Sequence, residues 1–101
     1  MDWREIPSLA ALRAFEAAAR HGSYSAAARE LNVSHAAIAQ LVRALEAHVG
    51  QSLMQRAGRG MEPSAAGQRL AGSLASGFSE IAQGVRALAR AGEDGPLSVT
   101  T

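Results

Sequence analysis

The three histidines are the first residues to weigh for chemistry. His21, His35 and His48 stand too far apart for the i, i+4 pairing with which one helix face grips a metal. There is no cysteine to supply a thiolate, and no carboxylate pair stands beside any of them. Ser34 and His35 adjoin like a nucleophile and its base, but helix neighbours point in different directions and no third group orients them. The glycines of Ala57-Gly58-Arg59-Gly60-Met61 lack the lysine and the following helix start of a phosphate-binding loop. No catalytic residue, metal site or cofactor is therefore expected. The remaining chemistry is hydrogen bonding from a short polar helix face and from a few arginines.

The stretch that must position that face runs from Ser25 to Gly50 and reads as two helices joined by a tight turn. Ala26, Ala27 and Ala28 lead to Leu31, giving a helix of good formers small enough for another helix to cross closely. Asn32 suits the left-handed conformation of a turn, Val33 is placed to plug the angle between the helices, and Ser34 is a good N-cap. In the second helix Ile38, Val42, Leu45 and Val49 share one face. His35, Ala36, Ala39, Gln40 and Arg43 lie away from it or near the N-terminal end, and Gly50 closes the helix. Such a pair can place its second helix in the major groove of DNA; equally, it can be an ordinary corner of a helical bundle.

At 101 residues the chain is one domain at most. Nearly half the residues are apolar, enough for a modest core, and few are aromatic, which favours helices packed through small side chains. The net charge of +1 is small for a nucleic-acid binder, although every basic residue is arginine, which suits bidentate contacts to phosphate and guanine. The absence of cysteine, of an apolar leader in Met1-Asp2-Trp3-Arg4-Glu5-Ile6 and of a bilayer-spanning run leads us to expect a cytoplasmic chain with no membrane contact.

Ahead of the motif, Ser8 or Pro7 starts a helix from about Leu9 to Arg20, with Leu9, Leu12, Phe15 and Ala19 as its apolar stripe. Gly22 ends it and Ser23 caps the next, so three helices form a small core. Tyr24 then has a ring to bury and a hydroxyl to satisfy. After Gly50, Leu53-Met54-Gln55-Arg56 and Met61-Glu62-Pro63 are extended candidates joined by Ala57-Gly58-Arg59-Gly60, whose two glycines permit positive φ. This reads as a two-stranded wing with Arg56 and Arg59 at its tip or edge, set to touch the sugar-phosphate backbone or a minor groove. An exposed loop kept soluble by its arginines fits the same residues.

From Ser64 the helical period returns as far as about Arg90. Leu74, Phe78, Ile81, Val85 and Leu88 alternate spacings of four and three, the repeat of a coiled-coil seam, with Leu70 one turn earlier. At roughly 40 Å such a helix outreaches a three-helix core and wants a partner, although it could also lie over its own domain. Gly67, Gly72, Gly77 and Gly84 each weaken it by about 1 kcal/mol. Ala91-Gly92-Glu93-Asp94-Gly95-Pro96 is expected to break the helix, and Leu97-Ser98-Val99-Thr100-Thr101 alternates like an opening strand.

In this order the elements resemble the N-terminal half of a LysR-type transcriptional regulator over essentially the whole length. The carrying residues are Leu9, Leu12 and Phe15; Gly22 to Ile38; Leu45-Glu46 with Gly50; Leu53-Met54 with Arg56; and Ser64-Ala65-Ala66-Gly67. The resemblance implies a mainly α fold, a winged helix-turn-helix (three-helix core plus short β-hairpin wing) over 1–63, followed by a long linker helix over 64–91. Residues 92–101 would be a hinge and the first strand of an absent effector-binding domain. It implies a double-stranded DNA operator as partner, a homodimer whose linker helices pair antiparallel, a higher oligomer for the full-length protein, and a small-molecule effector only where the absent domain is present.

Carried over residue by residue, the base-reading positions fall on His35, Ala36, Ala39 and Gln40, with Ser34 and Arg43 towards phosphate and Arg56 in the wing; Ser23 and Arg59 complete the expected DNA contacts. The dimer would use Leu70, Leu74, Phe78, Ile81, Val85 and Leu88. Ala39 replaces a serine common in the family, Leu41 a glutamine and Met54 a phenylalanine, so direct readout would rest on His35 and Gln40, with the alanines offering methyl contacts to thymine. The rival is a helical assembly module whose business is the seam alone; fragment retention on DNA at low salt separates the two.

Overall fold

The computed structural model describes residues 2–94. A 3-10 turn at Trp3–Glu5 leads to α1 (Leu9–His21), α2 (Tyr24–Leu31), α3 (His35–Val49), β1 (Met54–Ala57), β2 (Gly60–Pro63) and α4 (Ala65–Asp94). This is a winged helix-turn-helix followed by a long helix.

Serine starts every helix. The hydroxyl oxygens of Ser8, Ser23, Ser34 and Ser64 accept from the N–H groups of Ala11, Ala26, Ala37 and Gly67 at 3.0–3.1 Å, satisfying donors that the first turn leaves without partners. The stops are equally local. Gly22 (φ +64°), Asn32 (φ +59°) and Gly50 (φ +73°) are all left-handed. At Asn32 the closure is a Schellman motif, with the Val33 N–H donating to the Ala28 carbonyl at 3.0 Å and the Asn32 N–H to that of Arg29 at 3.4 Å.

The core forms where α1 meets α2, α3 and α4. Phe15, Ile38, Leu45 and Val42 are its largest fully buried side chains, joined by alanines of α1 and α2 and by Leu53 and Met54. Three expectations about burial fail. Leu9 is 61% exposed, and the buried side of α1 is Ala11, Ala14, Phe15 and Ala18, because a helix crossed by three others needs small side chains at the crossings. Val33 is 43% exposed: its backbone closes the turn, and its side chain does not plug the angle. Val49 is 38% exposed, the last residue of α3 having run past the core.

The wing is an antiparallel pair in the register Met54↔Pro63, Gln55↔Glu62, Arg56↔Met61 and Ala57↔Gly60, with Gly58 and Arg59 as its loop. Gly58 has φ +58° and Gly60 has no positive φ, so positive φ falls on the first loop residue alone, the pattern of a type II′ hairpin. Gly60 is needed for room, since a Cβ there would stand 2.9 Å from the Gly22 carbonyl oxygen. The same carbonyl accepts from the Met61 N–H at 3.2 Å and stitches the wing to the α1–α2 corner.

Helix α4 passes over Leu53, just ahead of β1, at Gly67, where any Cβ would overlap the Leu53 carbonyl. Beyond that crossing the expected seam divides. Leu70 and Leu74 pack against the chain's own core, Phe78 is half-buried, and Ile81, Val85 and Leu88 are 62%, 62% and 76% exposed. The helix also runs through the expected break at Ala91-Gly92 to Asp94, because one glycine raises the helix's free energy by about 1 kcal/mol without ending it. The expected strand at 97–101 lies outside the described residues.

Candidate nucleic-acid interface

Ser34 begins α3, and the helix then buries Ile38, Val42 and Leu45 and turns the opposite side outward. Ser34, His35, Ala36, Gln40 and Arg43 are exposed, and Ala39 is half-buried. The described chain flanks only its edge, where Tyr24 of α2 meets His35. The Ser34 oxygen accepts the Ala37 N–H, which leaves its O–H proton available to an outside acceptor.

Beside α3 the wing and the start of α2 enclose a concavity of about 470 Å³. It brings together five of the nine expected contact residues, Ser23, His35, Ala39, Arg56 and Arg59, with Tyr24, Ser25, Gly60 and Met61. Ser34, Ala36, Gln40 and Arg43 lie outside it on α3. Ser23 is half-buried, its oxygen accepting from the Ala26 N–H, while Arg56 and Arg59 are exposed on β1 and at the hairpin loop.

The ion pairs lie elsewhere. Among the described residues the ion pairs involve Arg4, Arg20 and His21, leaving Arg43, Arg56 and Arg59 without a carboxylate partner. Arg20 bridges Glu16 (2.9 Å) and Glu30 (2.8 Å), and His21 lies 2.6 Å from Glu30, tying α1 to α2. The hydrogen bonds from Arg20 and then His21 hold the Glu30 carboxyl down at about 2. An arginine with no carboxylate bound to it keeps its donors for an anionic backbone.

Three residues contribute to the site in ways not expected from the sequence. Glu46, near the end of α3, accepts from the Leu53 N–H at 2.8 Å and the Met54 N–H at 3.3 Å, fixing the wing to the helix. Met61 lines the concavity from β2. Tyr24 sets its ring edge-to-face with His35, centroids 5.8 Å apart and planes at 77°. Burial first, and then the Glu46 charge, push its hydroxyl pKa up, against the Arg43 charge, so it stays a protonated donor. The signal for Tyr24 is a hydroxyl in need of a partner directly after a cap; Glu46 and Met61 are legible by position, and nothing in the sequence points to these contacts.

This architecture has relatives. The family described as "Bacterial regulatory helix-turn-helix protein, lysR family" matches residues 9–68. The chain is 49% identical over 100 residues to the AhcY transcriptional activator HvrB of Rhodobacter capsulatus, covering 99% of this chain and 34% of that protein. It is 46% identical over 78 residues to the regulator TrpI of Pseudomonas aeruginosa, covering 77% and 26%. It thus spans about a third or less of the length of these relatives. Among solved structures, a BenM DBD/catB site 1 DNA complex superposes with a TM-score of 0.76 at 24% identity, over 83% of this chain and 93% of that one, which bears on the fold alone. Oxidized Corynebacterium glutamicum OxyR gives 0.73 at 28%, over 81% and 26%. The chain belongs to the lysR family of bacterial regulatory helix-turn-helix proteins.

Proposed function

We propose that this chain is a sequence-specific double-stranded DNA-binding module that acts as a dimer in transcription regulation, in the cytoplasm and on the nucleoid, and that it is a binding protein with no catalytic role. The observation that carries the reading is the uncovered outer face of α3, with His35 and Gln40 exposed while Ile38, Val42 and Leu45 anchor the helix beneath. A helix so held can enter a major groove without unpacking its domain. His35 and Gln40 then read base edges, with methyl contacts from Ala36 and Ala39. Ser23, Ser34 and Arg43 set the register on phosphates, and Arg56 and Arg59 on the wing meet the flanking backbone or minor groove.

The dimer uses the free end of α4, where Ile81, Val85 and Leu88 have no cover, continuing the line of Leu70, Leu74 and Phe78. Two such helices running antiparallel would bury each other's exposed half. A small-molecule effector and any higher oligomer would require a further domain beyond these residues. Among the described residues no helix is long and apolar enough to cross a membrane.

The test is selection of bound duplexes from a random pool, followed by gel-shift titration. Gln40→Ala and His35→Ala should relax preference at particular base pairs by about 1–3 kcal/mol. Arg43→Ala and Arg56→Ala should weaken all sequences alike and flatten the salt slope. No enriched sequence and no retained fragment at low salt would defeat the reading.

A further inference from the structure

Tyr24 and His35 are the first residues of α2 and α3, and their edge-to-face contact joins the starts of the two helices across the turn. Both rings open on the concavity that also holds Arg56 and Arg59. Tyr24 is half-buried against the core cluster and so is itself fixed, whereas His35 is exposed and the ring contact is the restraint the structure shows on it. An exposed side chain free to sample its rotamers loses entropy when it engages a base, while one already oriented loses less. An imidazole must also present a particular ring nitrogen to a base edge, so its tilt governs which base it accepts.

We propose that Tyr24 is a specificity-determining positioning residue, whose anchored ring holds the His35 imidazole in the orientation that reads a base. The inference rests on α3 being the recognition helix. Because the ring face and edge do the positioning, Tyr24→Phe should retain the effect and Tyr24→Leu should abolish it, at similar apolar volume.

Two measurements on the whole chain test it. In the free protein, the His35 imidazole C–H resonances carry the ring-current shift of Tyr24; they should move in Tyr24→Leu and stay in Tyr24→Phe. In pool selection and competition binding, Tyr24→Leu should lose discrimination at the base pair where His35→Ala loses it, by roughly 5- to 100-fold. The double variant should be no worse than His35→Ala. If Tyr24→Leu does not fold, Tyr24→Met takes its place. Unmoved His35 resonances, preserved discrimination at that base pair, or additive losses in the double variant would overturn the assignment. If the wild type enriches no sequence, the DNA-binding reading fails and this role with it. Enrichment by the wild type with unaltered selectivity in Tyr24→Leu strikes this inference alone.

Discussion

Replacing Gly67 with alanine should destabilise the domain even though alanine is the better helix former. Gly67 is buried where α4 passes over Leu53, just ahead of β1. The new Cβ would overlap the Leu53 carbonyl oxygen and stand 3.0 Å from its carbon and 3.1 Å from the Pro63 Cβ. Leu53 has little freedom to withdraw. Its carbonyl accepts from the Ser64 N–H at 2.9 Å, its N–H donates to Glu46 at 2.8 Å, and its side chain is 2% exposed. Helix propensity contributes about 1 kcal/mol in favour of alanine. Overpacking against fixed backbone opposes it by about 1–3 kcal/mol, and displacing α4 weakens the Ser64–Leu53 hydrogen bond by about another 1 kcal/mol. The net is a loss of about 1–3 kcal/mol, or a Tm lower by roughly 5–20 °C in a domain of this size. Gly72→Ala is the control, because nothing lies within 4 Å of its added Cβ; it should raise stability by up to about 1 kcal/mol. Thermal melts by far-UV circular dichroism at one fixed protein concentration compare the two, since the Tm of any self-associating protein depends on concentration. A Gly67→Ala protein as stable as the wild type, beside a stabilised Gly72→Ala, would refute the argument that this crossing requires a glycine.

Ile81→Asp should leave a folded monomer with greatly reduced operator affinity, because a charge would enter the proposed dimer seam and a single half-site lacks its partner's binding energy; an unchanged dimer on sedimentation would rule out this helix as the main interface. Glu46→Gln should cost about 1–2 kcal/mol by replacing charge-assisted hydrogen bonds to the Leu53 and Met54 N–H groups with weaker ones, and faster amide exchange at those two residues is the readout. Glu30 provides a pH test. Its folded-state value of about 2 lies below the ordinary 4.5, so its contribution is complete above the unfolded value and is lost as pH falls from about 4.5 towards 2. The carboxylate is 37% exposed, which limits the effect to about 1 kcal/mol; Glu30→Gln should flatten the acid limb of the stability curve by that amount, and an unchanged limb would show that the Arg20–His21 cluster is energetically idle.

The legible part of this protein is its punctuation. Serine caps and Gly22, Asn32 and Gly50 stops act within a few residues through hydrogen bonds to their own turn, so their meaning needs no knowledge of what packs nearby. The glycine-centred hairpin between Arg56 and Met61 belongs to the same class. Periodicity placed Ile38, Val42 and Leu45 inward correctly, because α3 has one broad apolar side. It misplaced Leu9 because an alanine-rich helix carries almost no contrast between faces: any of several stripes on α1 is apolar enough to bury. Reading Val33 as a plug failed for a related reason, since a hydrophobic residue after a left-handed asparagine can close the turn with its backbone alone.

Neighbours far apart in the chain settled the rest. Gly60 and Gly67 look like turn and helix glycines, yet their necessity comes from carbonyls of Gly22 and Leu53 arriving within contact distance. Glu46 anchors the wing, Tyr24 meets His35, and α4 spends Leu70 and Leu74 on its own core before presenting Ile81, Val85 and Leu88 outward. Each of these depends on the angle at which two elements cross. That angle follows from how side-chain volumes fit across the whole core, and no local stretch of residues encodes it.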